Sequence, residues 1–148
     1  MYICEQAISR SRKFVLLAVI WTLVAPHASF AAQPGQSLLP VLQERFALSE
    51  QQVRDGLGAL LVFTRERLPK PEFDELARTI PNADLIMQEV KARGIVTKPI
   101  DDIDEYEAAL GNTGISPANA AAFAPAVLDV LRATGHDRER DILARAIN

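Results

Sequence analysis

The stretch from Val53 to Leu68 constrains this chain most. Val53, Leu57, Leu60, Leu61 and Leu68 recur at i, i+4, i+7, i+8 and i+15, the spacing of one face of an α-helix. An apolar stripe of that length must be covered, and the rest of the chain offers only helices to cover it. Leu38, Leu39, Leu42 and Phe46 give a helix before it. After it, Phe73, Leu76, Ala77 and Ile80 give a third, ended by Pro81, and Leu85, Ile86 and Val90 a fourth, ended by Gly94. Ile103, Tyr106 and Leu110 mark a fifth, Ala120, Phe123, Ala124, Val127 and Leu131 a sixth, and Ile142, Leu143, Ala146 and Ile147 a seventh. "GIVTKP" at 94–99 is the one stretch rich in β-branched residues; short and bounded by Gly and Pro, it reads as a connection. No period-2 strand competes. The expected fold is all-α, a compact bundle of about six or seven short helices.

Helix starts are written plainly. Ser49 with Gln52 three residues on is a capping box, and Leu48 and Val53 occupy the hydrophobic-staple positions. Ser116 followed by Pro117 places an N-cap before a proline whose missing N–H costs nothing at the first helical position. Ser49 and Ser116 also align at an offset of 67, which matches Leu48 to Ile115, Ala59 to Ala126, Leu60 to Val127 and Leu61 to Leu128. Identities are few, so chance similarity of two alanine-rich helices explains the match as well as duplication does. Pro125 falls inside the sixth helix, where a kink or break near Ala121–Ala122 is expected.

The N-terminus has a different character. Arg10, Arg12 and Lys13 precede a twelve-residue apolar core, Phe14 to Ala25, and Ser29 and Ala31 supply small residues at −3 and −1. This is the layout of a secretory signal, with cleavage expected between Ala31 and Ala32. The alternative, an uncleaved anchor, is disfavoured because a span needs about 20 apolar residues. Residues 1–31 therefore read as signal peptide, 32–37 as a flexible leader and 38–148 as one helical domain. Cleavage removes Cys4 and Trp21, the only residues of their kinds, and leaves 13 basic and 18 acidic side chains. The processed chain has no disulfide and no thiolate nucleophile. Its net negative charge argues against a nucleic-acid partner, and no stable membrane insertion is expected after cleavage.

Gly56 and Gly58 interrupt the central stripe. A dinucleotide fingerprint would need a third glycine at Leu61, a preceding strand and a helix start at the doublet. Instead Ser49 caps the helix two turns upstream, so the amides of both glycines are bonded within it. Each interior glycine costs about 1 kcal/mol relative to alanine, which a close helix–helix contact would offset. Gly56, Gly58, Ala59, Phe123 and Pro125 are the helix-packing candidates. Gly56 is expected to be the contact glycine. Gly58 is placed nearer a polar edge, where alanine should be neutral or mildly stabilising.

Other candidates are weighed against plainer readings. His136 beside Asp137 could serve as a general base, but no nucleophile motif accompanies it, and it reads as a polar helix start. "DDIDEYE", Asp101 to Glu107, lacks the glycine of a calcium loop and has Tyr106 at a ligand position. It reads instead as a helix N-cap with an acidic first turn. Arg65, Arg67 and Lys70 in "RERLPKP" read as a solvated helix end. No catalytic residue, cofactor or metal is expected.

"LSEQQVRDGLGALLVFTRERL", "FDELARTIP" and "GISPANAAAFAPAVLDVLRATG" together resemble the VcgC/VcgE family of bacterial proteins of unknown function. The resemblance spans Leu38 to Asn148 and rests on Gly56, Gly58, Ala59, Leu60, Leu61, Ile80, Pro81, Gly114, Ser116, Pro117, Phe123 and Pro125. "KARGIVTKPIDDIDEYEAAL" departs from the small-residue linker expected there. The resemblance implies a small exported helical domain and brings no catalytic residues. The expected role is a periplasmic or secreted, non-enzymatic interaction or scaffold protein with a protein partner. The alternative is a carrier of a small apolar ligand held between helices.

Overall fold

The computed structural model describes residues 37–148, so the expected signal peptide lies outside the described residues. The described chain forms seven helices and no strand: α1 (Leu38–Phe46), α2 (Glu50–Arg67), α3 (Lys70–Arg78), α4 (Ala83–Ala92), α5 (Ile103–Gly111), α6 (Pro117–Ala133) and α7 (Asp137–Ile147). Ser49 caps α2 through the full capping box with Gln52, and Ser116 caps α6 by accepting from the Asn119 amide.

α2 is the axle of the bundle. Every residue from Asp55 to Thr64 is buried, because α1, α3, α4, α5 and α7 all pack on it. The single apolar stripe predicted from sequence is therefore too narrow a description. The remaining helices cover α2 on its other sides too.

The other six-helix framework repeats. α1, α2 and α3 start at 38, 50 and 70, and α5, α6 and α7 at 103, 117 and 137, offsets of 65, 67 and 67 residues. Each triplet is short–long–short: 9, 18 and 9 residues, then 9, 17 and 11. The packing is reciprocal. α1 packs on both α2 and α6, α5 likewise packs on both α2 and α6, and α3 packs on α7, as two similar units packed against each other would. The backbone repeats as well. Ala47 (φ 51°) and Gly114 (φ 80°), 67 apart, both take the left-handed conformation just before the Leu48-Ser49 and Ile115-Ser116 starts. The structure thus supports duplication over chance resemblance. α4 has no counterpart in the second unit.

The glycine doublet shows the consequences of both features. A residue on a pseudo-twofold axis meets its own counterpart, and Gly56 faces Phe123, 67 residues on. A Cβ at Gly56 would lie 2.7 Å from Phe123 Cζ. Phe123 is itself fully buried, stacked on Phe46 at 5.8 Å between ring centroids. Gly58 is not at an exposed edge, contrary to expectation. It is buried beneath α4, where a Cβ would lie 2.5 Å from Val90 Cγ1, 2.9 Å from Ile86 Cγ2 and 3.0 Å from the Ile86 carbonyl oxygen.

Two other expectations change, and the connection at 94–99 is found as read. α6 continues through Pro125 without the break expected near Ala121–Ala122. Pro125, Ala121 and Ala122 are all exposed, so the Ala121 carbonyl, which has no Pro125 amide to accept from, is on the side of the helix open to water. Leu85 points outward, 49 % exposed, and Met87 takes its place in the core. The connection at 94–100 is no strand, but it delivers Ile95, Val96 and Ile100 to the interior.

Close packing at both glycines fixes the sign of their substitutions. Gly58→Ala pushes against a backbone carbonyl and is expected to lower stability by about 1–2 kcal/mol despite its better helix propensity. Gly56→Leu is expected to cost more than that, because the Phe123 ring has no free space to move into. Urea unfolding followed by far-UV circular dichroism checks both; a raised midpoint for Gly58→Ala would contradict the close contact with α4.

Candidate functional site

The five packing candidates do not converge. Gly56 and Phe123 meet at the centre of the bundle, while Gly58 meets Ile86 and Val90 of α4. Ala59 is fully buried, and Pro125 stands on the outer surface of α6. The partners of Gly58 were missing from the sequence reading. The one available signal was the neighbouring Arg54-Asp55 pair, which reads as a polar edge but is a buried contact.

Asp55 is the only buried acidic or basic side chain among the described residues, 4 % exposed. It accepts from Gln51 Nε2 at 2.9 Å, one turn earlier on α2, and pairs with the Arg93 guanidinium at the end of α4. One residue away, Arg54 donates to both Glu89 carboxylate oxygens at 3.2 and 3.0 Å. Two oppositely directed ion pairs therefore clasp α4 onto α2 beside the Gly58 contact.

A second feature is the stack Arg67–Phe63–Tyr106. The Arg67 guanidinium lies 5.1 Å from the Phe63 ring centroid and donates to the Asp101 carbonyl oxygen at 2.9 Å. Phe63 packs on Tyr106 at 5.9 Å between centroids. Tyr106 is fully buried, and its hydroxyl finds no hydrogen-bond partner among the described residues. Burial, with the Glu107 charge adding to it, pushes the phenol well above its ordinary value of 10.0.

The acidic stretch starts a helix. Asp102 caps α5 by accepting from the Glu105 amide at 2.8 Å, and Tyr106 and Leu110 point inward. Glu105 pairs with Lys98. That hydrogen bond raises the Lys98 ammonium above its ordinary range, and the same bond, with the Asp101 amide donating too, lowers the Glu105 carboxyl. His136 is the exposed N-cap residue of α7, with Nδ1 3.8 Å from Glu139. Arg65, Arg67 and Lys70 are exposed, as a solvated helix end would be, with the Arg65 guanidinium 6.0 Å from the Phe73 ring centroid. Among the described residues, no group of His, Cys, Asp or Glu gathers as metal ligands would.

A cleft of about 740 Å³ opens between α3 and α7 and is lined by Glu72, Arg138, Asp141, Ile142 and Arg145 among others. Its charges are internally matched: Arg145 reaches Glu72 at 2.8 Å, and Arg138 pairs with Glu75 beside it. These contacts hold α7 against α3.

The family described as "Protein of unknown function VcgC/VcgE" matches residues 23–148. The chain belongs to the VcgC/VcgE family. No curated protein and no solved structure matches it. In this VcgC/VcgE protein, most of the residues that carried the resemblance are accounted for by architecture. Gly56 and Gly58 are close contacts, Ile80 is core, Gly114 has positive φ, and Ser116 and Pro117 start α6. Pro125 alone of the packing candidates faces solvent. No described helix is long and apolar enough to cross a membrane.

Two measurements test the polar contacts. Arg93→Ala strands a buried carboxylate, so it is expected to cost about 2 kcal/mol; Arg45→Ala, which breaks the exposed Arg45–Asp129 pair, should cost less than about 1 kcal/mol. Equal urea midpoints for the two would deny Asp55 its role.

Tyr106 makes the second. Its phenol ionises later in the folded state than in the unfolded one, so the folded state holds the proton more tightly. Its contribution is intact below about pH 10 and is lost as pH rises beyond that. In the chain starting at Ala32, where Tyr106 is the only tyrosine, the tyrosinate absorbance is expected to appear together with loss of helical circular dichroism. An earlier, separate titration would show that the phenol reaches solvent. Tyr106→Phe, which removes an unpartnered hydroxyl, is expected to raise stability by up to about 1 kcal/mol.

Proposed function

We propose that this VcgC/VcgE protein is an exported, periplasmic or secreted, non-enzymatic helical domain that acts by binding another protein. The observation that carries the reading is how the polar side chains are used. Ser49, Asp102 and Ser116 cap helices. Arg45–Asp129, Arg54–Glu89, Arg93–Asp55, Arg138–Glu75 and Arg145–Glu72 each tie one element to another. Such groups hold a scaffold rigid, and what they leave for function is surface. The arrangement of Arg10, Arg12 and Lys13, the apolar Phe14–Ala25 segment, and Ser29 and Ala31 supports export.

The alternative is a carrier of a small apolar ligand. The cleft between α3 and α7 favours it less, since it is an open groove rimmed by Glu72, Arg138, Asp141 and Arg145 rather than an enclosed apolar chamber. A small adduct retained in native mass spectrometry of the purified protein would reverse that preference.

Export makes a sharp prediction. The periplasmic species should have the intact mass of residues 32–148 and show no tryptophan emission, because Trp21 leaves with the signal. A full-length mass with Trp21 emission in the membrane fraction would mean that the segment is an anchor.

A further inference from the structure

We draw no further inference here: the strongest candidate, the exposed face of α6 at Ala121, Ala122 and Pro125, is a stripe of small residues beside the Arg45–Asp129 ion pair, and nothing in the structure shows what covers it.

Discussion

Burial of α2 on all sides is the constraint from which the rest follows. A helix with ten consecutive buried residues, Asp55 to Thr64, cannot present polar groups freely at any angle. The two that it does bury are both satisfied: Thr64 donates to the Leu61 carbonyl at 3.1 Å, and Asp55 is held by Gln51 and Arg93. Five helices pack along it, and α4 and the Phe123 side chain of α6 meet it at the two glycines. Gly56 and Gly58 give up helix propensity, and the contacts with Phe123 and with Ile86 and Val90 offset it.

Duplication explains how so short a chain surrounds one helix. Each first helix packs on both long helices, so α1 and α5 serve two neighbours without extra chain. Exact symmetry would then place identical residues at the axis, where two large side chains clash and two small ones leave a void. The pair Gly56 and Phe123 resolves this with one of each. The same division of labour marks the turn before each long helix, where Gly114 adopts positive φ freely and Ala47 does so at some cost. α4 then distinguishes the halves: the middle of one long helix, Asp55 to Thr64, becomes interior, and the other keeps Ala121, Ala122, Pro125 and Asp129 exposed.

Electrostatics play a secondary part. The ion pairs that join helices are mostly half-exposed and contribute little each. Asp55 differs because its carboxylate is enclosed, so loss of Arg93 would leave a buried charge without its cation. Tyr106 is the opposite case, a polar atom enclosed without a partner and tolerated for the contact its ring makes with Phe63.

By itself the sequence determined the class and the punctuation. The 3.6-residue spacing, the Ser49–Gln52 box, the Ser116-Pro117 start and the stops at Pro81 and Gly94 are local features, set by backbone geometry within a few residues, and each is found where it reads. The family was legible for the same reason, since many of its motif residues are turns, caps and close contacts. What the tertiary structure alone decided was which faces are covered. Gly58 beside Asp55 reads as a polar edge because a helical wheel carries no record of a helix 30 residues away, and only α4 turns that edge into core. Leu85 reads as core and is exposed because the ridge that α4 inserts is set by the shape of α2, through Ile86 and Val90. The offset of 67 was ambiguous as letters, because alanine and leucine recur in any amphipathic helix. It became informative once α1 was seen on α6 and α5 on α2, since reciprocal packing depends on contacts between distant segments and leaves no periodic trace in the chain.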